Sequence, residues 1–416
     1  MEEWSPNLSH SLLPQREANE NLSVNLQTLF FDSFKRTTFT SANFPDMNKF
    51  SLIFLLSLTL AMLPACQSPA DKSPRQAKNV ILLIGDGMGL TQVSASYYFQ
   101  EKTPHFSRFP YVGLIRTSAS NRKITDSAAG ATAFSAGKKT YNAAIGVDPD
   151  TLPITTLVEL AAARGLKNGL IATSSITHAT PAAFYAHVAS RNMHEEIAQA
   201  LPGAGVDFFA GGGLKYFIGR KDGLNYLDTL AQRGYTLDTT AFAPGEWNPD
   251  GKYGWLLAPD GLPPILEGRG EFLTQATQAS LDFLGTHQKG FFLMVEGSQI
   301  DWGGHDNNTA YLVSELLDFD RAIGAALDFA EKDGNTLVVV TADHETGGFA
   351  LSSTPKPTES GGMSSDYNEI TGTFSTGGHT TTLVPVFAYG PGAEAFTGIY
   401  ENTGIFHKIV AALGWE

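Results

Sequence analysis

Five stretches of the chain are continuously apolar or nearly so: 79–85, 169–172, 291–295, 336–341 and 384–389. Runs of this length that end in glycine or small polar residues read as strands buried on both faces. Between them lie helical patterns. One covers 157–163, and another places Leu312, Leu316, Phe319, Ile323, Leu327 and Ala330 at three- and four-residue steps. Strands alternating with helices predict an α/β fold, a three-layer α/β/α sandwich with a mainly parallel central sheet. Residues 79–416 form a single domain in this reading. Residues 192–290 and 351–378 lack comparable runs and are expected to leave the sheet, forming a rim, a crown or a subunit contact. In such a sheet ligands bind beyond the carboxyl ends of the strands.

The N-terminal part follows other rules. Residues 1–46 are polar without an apolar period, and no structure is predicted for them. From Met47 a short positive segment, Asn48 and Lys49, precedes residues 50–63, apolar apart from Ser51, Ser57 and Thr59. That run is shorter than the roughly 20 residues of a membrane span and matches the core of a signal peptide. Its end, Leu63-Pro64-Ala65-Cys66, resembles a bacterial lipoprotein cleavage box. The expectation is a signal at 47–65, lipid attachment at Cys66, a linker over 66–78, and export to the periplasm or outer membrane with a lipid anchor in the membrane. Residues 1–46 then read as a non-native extension set by the choice of start codon.

Charge and cysteine content narrow the chemistry. Lys and Arg number 28 against 42 Asp and Glu, a net charge of -14, which argues against a nucleic-acid partner, since phosphate backbones are gripped by basic surfaces. One cysteine excludes an internal disulfide, a cysteine-rich zinc site and an iron–sulfur cluster. Any metal must be held by His, Asp, Glu or hydroxyl groups.

Such groups collect at the expected strand ends. Asp86 follows the first strand, Glu296 the run ending at Val295, and Asp343 and His344 the run ending at Thr341, while His379 lies just before the last strand. Oxygen and nitrogen ligands of this kind suit zinc and magnesium. Asp301 and His305 are four residues apart, so a helix there turns both toward one ion. Ser127 opens a run of small residues that predicts a helix lying close on the sheet. At a helix start its hydroxyl meets free N–H groups that favour an anion, although N-capping is the plainer role for such a serine.

The set Gly85-Asp86-Gly87-Met88-Gly89, Thr125-Asp126-Ser127-Ala128-Ala129-Gly130, Lys139-Thr140-Tyr141-Asn142, His178-Ala179-Thr180-Pro181, Glu296-Gly297, Asp301, His305, Asp343-His344 and His379-Thr380 resembles the alkaline phosphatases. The resemblance implies one zinc on Asp301, His305 and His379, and a second on Asp86, Asp343, His344 and Ser127. It implies a magnesium on Asp86, Thr180 and Glu296. Ser127 becomes the catalytic nucleophile and Arg191 the grip on phosphate oxygens. His178 and Trp302, beside the third metal, depart from the best-known bacterial pattern, and the histidine favours zinc there in place of magnesium. Phosphate monoesters are the implied substrates, hydrolysed through a phosphoserine, and a homodimer is the implied assembly. Two other readings stand beside this one: a phosphodiesterase or sulfatase-like hydrolase on the same sheet, and a non-catalytic lipoprotein that binds metal or phosphate.

Overall fold

The computed structural model describes residues 75–415. The expectations about residues 1–46, the signal at 47–65 and Cys66 fall outside the described residues.

The described strands, in chain order, are β1 (Asn79–Gly85), β2 (Tyr111–Arg116), β3 (Lys167–Ser175), β4 (Phe208–Gly212), β5 (Tyr235–Asp238), β6 (Lys252–Leu256), β7 (Phe291–Gly297), β8 (Thr336–Thr341), β9 (Glu345–Thr346), β10 (Ala350–Pro357), β11 (Met363–Thr373), β12 (His379–Thr380), β13 (Val384–Tyr389) and β14 (Gly398–Glu401). Ten of them form one sheet in the order β14-β2-β13-β8-β1-β7-β3-β4-β6-β5. All of its pairings are parallel except the two made by β13, which runs against both β8 and β2. The five strands read from apolar runs are all present. β1 lies at the centre between β7 and β8, and Val80 to Ile84 have no solvent exposure. Burying each such side chain stabilises the fold by roughly 1.5–3 kcal/mol.

Helices cover the sheet. Thr309–Asp333 carries the predicted apolar stripe, with Leu312, Leu316, Phe319, Ile323 and Leu327 buried, and it packs on β8, β7 and β1. Leu157–Ala163 opens with a capping box between Thr156 and Glu159. Ser127–Ala136 is made of small residues and is buried along its whole length. Its Gly130 has no room for a side chain, because a Cβ there would come within 2.9 Å of the Asp343 Cβ. Gly137, at φ 69°, ends the helix.

The segment 192–290 departs from expectation. Instead of leaving the sheet, it adds β4, β6 and β5 to one side. These strands are four or five residues long, and glycines in β4 and β6 break the apolar run. One of these, Gly254, sits against the Phe209 ring, where a Cβ would approach to 2.2 Å. Segment 351–378 does leave the sheet, as the separate antiparallel hairpin β10–β11.

Candidate active site

The topology sends each chemical group to one edge. Asp86 follows β1, Glu296 is the penultimate residue of β7, and Asp343 and His344 follow β8. His178 and Thr180 follow β3, at the start of the short helix Ala179–Ala182. Because β13 is reversed, its beginning shares an edge with the ends of its neighbours. His379 therefore arrives at the same place on β12, paired across from Thr346 of β9. Helix Gln299–His305 brings Asp301 and His305 onto one face, with Asp301 Oδ2 3.4 Å from His305 Nε2.

These groups form three adjoining clusters. In the outer one, the Nε2 atoms of His305 and His379 are 3.2 Å apart, and Asp301 Oδ1 is 3.6 Å from His379 Nε2. In the inner one, His344 Nε2 lies 3.2 Å from Asp343 Oδ2, 3.6 Å from Asp86 Oδ1 and 3.3 Å from Ser127 Oγ. Ser127 Oγ is 3.5 Å from Asp86 Oδ1. A tetrahedral zinc with bonds of 2.0–2.1 Å places its ligand atoms roughly 3.3 Å apart, so both clusters have the spacing of a zinc site. The third joins Asp86, His178 and Glu296. His178 is thus one of the groups facing the third position, and its ring meets Trp302 edge-on at 6.2 Å between centroids.

The polar bookkeeping also fits cations. Asp86 Oδ2, Asp343 Oδ2, Glu296 Oε1, Thr180 Oγ1 and His178 Nδ1 are buried without a hydrogen-bond partner, an arrangement that is costly unless an ion satisfies it. Burial, then the carboxylates of Asp343, Asp301 and Glu296, push Asp86 well above the usual range. Burial raises Glu296 to about 7. The Asp301 carboxylate raises His305 to about 9, while burial, with Arg191 beside it, lowers His178 to about 3. The Nδ1 atoms of His305 and His379 lie 2.7 Å and 2.9 Å from the carbonyls of Gly377 and Thr125. Donation there leaves Nε2 directed into the cluster, the usual arrangement of a metal-bound imidazole.

Ser127 is the first residue of its helix, and Asp126 is the N-cap. The capping role weighed for Ser127 therefore belongs to its neighbour, and the serine hydroxyl remains available to the inner cluster. Arg191 stands over the helix start, with Nη1 3.3 Å from Asp126 Oδ2 and Nη2 3.0 Å from His178 Nε2. Three supporting residues escaped the sequence reading. The Thr346 hydroxyl donates to Asp301 Oδ1 at 2.5 Å, Ser174 donates to Glu296 Oε2 at 3.2 Å, and Glu345 ties β9 to its surroundings. Position beside Asp343 and His344 was the signal available for Glu345 and Thr346; Ser174 offered none.

A nucleophilic hydroxyl inside one metal-type cluster, with a second cluster alongside and a guanidinium above, suits metal-dependent hydrolysis of phosphate esters. Comparison with known proteins agrees. A family profile for alkaline phosphatase matches residues 77–372. Alkaline phosphatase 4 of Bacillus subtilis (strain 168) is 36% identical, over 81% of this chain and 88% of its own. The structure of alkaline phosphatase from the Antarctic bacterium TAB5 superposes with a TM-score of 0.80 at 53% identity, covering 82% of this chain and 99% of that one. A histidine-to-glutamate mutant of the TAB5 enzyme with Mg bound in the M3 site matches over the same shares, with a TM-score of 0.81. The chain belongs to the alkaline phosphatase family and is a phosphomonoesterase.

Proposed function

We propose that this protein hydrolyses phosphate monoesters with Ser127 as nucleophile. The observation that carries this assignment is the placement of Ser127 Oγ, 3.3 Å from His344 Nε2 and 3.5 Å from Asp86 Oδ1 at a helix N-terminus. Asp301, His305 and His379 would hold one zinc, and Asp86, Asp343 and His344, with Ser127, the other. Asp86, Glu296, Thr180 and His178 would hold a magnesium, or a zinc in its place because imidazole suits zinc. When bound, these ions supply Lewis acidity and positive charge beside the attacking and leaving oxygens.

The chain's own residues do the rest. Ser127 Oγ attacks phosphorus as the ester oxygen departs on the opposite side, toward the Asp301, His305 and His379 cluster. Ser127 then carries the phosphoryl group until water attacks phosphorus, releasing phosphate and restoring the hydroxyl. Arg191 and the N–H groups at the helix start hold the non-bridging oxygens. Asp126 fixes the helix start, and Thr346 fixes Asp301.

Hydrolysis of p-nitrophenyl phosphate and bis(p-nitrophenyl) phosphate, before and after chelation, tests this reading. The monoester should be preferred, chelation should abolish turnover, and zinc with magnesium should restore it. A Ser127→Ala variant should lose nearly all activity. Chelator-resistant turnover, or a fully active variant, would overturn the assignment; a diester preference would move the protein to the phosphodiesterase reading.

The apolar run at 50–63 and Cys66 support export as a lipoprotein to the periplasm or outer membrane, and the family resemblance supports a homodimer. Labelled palmitate incorporated by the wild type and lost in Cys66→Ser checks the anchor. Sedimentation of the metal-loaded protein checks the assembly.

A further inference from the structure

We propose that Arg122 and Lys123 form a recognition subsite for a second anionic group on the leaving side of the substrate. This inference rests on the phosphatase reading above and refines its substrate class to monoesters whose leaving group carries an additional phosphate or carboxylate.

A cleft of about 630 Å³ opens at the site, lined by Arg122, Lys123 and Ile124 together with His305 and His379. Ser127 lies on the buried side, against His344 and Asp86, whereas the His305 side chain is 40% exposed. In-line displacement from Ser127 sends the leaving oxygen toward His305 and His379, and therefore into this cleft. Whatever the leaving oxygen is attached to must lie in the space that Arg122 and Lys123 border.

Neither cation is committed elsewhere. Both are exposed, and among the described residues neither lies within 4.0 Å of a carboxylate; Arg122 Nη1 reaches only the carbonyl of Asn121, at 3.2 Å. The one carboxylate lining the cleft, Asp126, is already taken up by the N–H groups of Ala129 and Ala143 and by Arg191. In a chain of net charge -14, two unpaired cations beside the site make a local positive field that selects polyanions.

The segment that carries them is anchored. Asn142 closes it from three directions: its N–H donates to Asn121 Oδ1 at 3.2 Å, its Nδ2 to the Ile124 carbonyl at 3.1 Å, and its Oδ1 accepts from the Asp126 N–H at 3.3 Å. The two side chains thus project from a loop whose ends, at Asn121 and at Ile124 and Asp126, are tied to Asn142. Less backbone ordering then remains when substrate binds.

The test compares phenyl phosphate, 4-carboxyphenyl phosphate and propane-1,3-diyl bisphosphate on the metal-loaded full chain, wild type and an Arg122→Gln/Lys123→Gln variant. The readout is the ratio of kcat/KM for each anionic substrate to that for phenyl phosphate. The double substitution should lower that ratio about fivefold to tenfold, and added salt should lower it in the wild type but not in the variant. A drop for the bisphosphate alone assigns the subsite to phosphate; a drop for both assigns it to anions generally. A ratio unchanged by the substitutions, with phenyl phosphate still hydrolysed, overturns this inference alone. Failure of the metal-loaded wild type to hydrolyse phenyl phosphate overturns the phosphatase reading and this subsite with it.

Discussion

Asp126 and Arg191 are tied through one carboxylate oxygen. Asp126 Oδ2 accepts from the Ala143 N–H at 2.9 Å and lies 3.3 Å from Arg191 Nη1, while Oδ1 caps the nucleophile helix through Ala129 N–H at 3.0 Å. The Arg191 N–H in turn donates to the Ala143 carbonyl at 2.7 Å. Ala143 holds a left-handed φ of 74°, a conformation that disfavours any side chain, so the surroundings must maintain it. One carboxylate therefore sets both the helix start and the guanidinium. Asp126→Ala should lose about 1 kcal/mol of stability as a missing N-cap, seen as a lower urea midpoint. It should also weaken competitive inhibition by inorganic phosphate several-fold. Unchanged phosphate inhibition would show that Arg191 is positioned without Asp126.

Close by, His187 lies between two acceptors, Nδ1 2.6 Å from the Gly146 carbonyl and Nε2 3.0 Å from Glu159 Oε1. Donating to both requires the imidazolium. The Glu159 hydrogen bond raises His187, and the same bond lowers Glu159. The stability from a raised histidine is complete below its unfolded pKa of about 6.5 and is lost as pH rises through the folded value. That from a lowered glutamate is present above about 4.5 and lost as pH falls through its folded value. The pair thus contributes most between those limits. A His187→Gln substitution should depress Tm more at pH 5.5 than at pH 9. An equal depression at both would mean that the ring acts only by packing.

The fold was legible where a strand is a long, continuously apolar run and obscure where it is short and mixed in composition. β1, β7 and β8 are apolar along their length because neighbours cover both faces, whereas β4, β5 and β6 mix glycine, lysine and aromatic residues on the sheet's flank and carry no such signature. The site shows the same division. Asp86, Asp343 and His344 sit next to strands and could be found from topology alone. Glu296 shares that strand-end signal, whereas its grouping with Thr180 at a third metal owes to family resemblance, since a threonine in a short helix is ordinary by itself. The service of Asp126 to Arg191 spans 65 residues, and no periodicity reports a contact of that separation.

Glu345 offers a test of how the histidines are held. Its buried carboxylate accepts from Gln92 Nε2 at 2.9 Å, the Phe349 N–H at 3.0 Å and the Thr380 hydroxyl at 2.5 Å. It thereby joins β9, which follows His344, to β12, which carries His379. Glu345→Ala would strand donors whose desolvation costs about 1–3 kcal/mol each. The expected result is a lowered Tm with weaker zinc retention on dialysis, read by atomic emission. Retention equal to wild type would limit Glu345 to a structural part.

Metal removal should reveal the cost of crowding carboxylates. Asp86 and Glu296 are fully buried and raised in pKa, chiefly by burial. A carboxyl whose folded value is raised is stabilising below its unfolded value and loses that contribution as pH climbs through the folded one. In chelator, Tm should therefore fall as pH rises from about 4.5 toward 7, the span between the ordinary glutamate value and that of Glu296. Asp86→Asn removes one of the repelling charges while keeping the shape. In chelator at pH 8 this variant should melt above the wild type. With zinc and magnesium the order should reverse, because the amide is a poorer ligand for both the inner cluster and the third. Scanning calorimetry of the two proteins under both conditions decides the matter, and a variant that melts lower in chelator as well would show that Asp86 serves the fold apart from any ion.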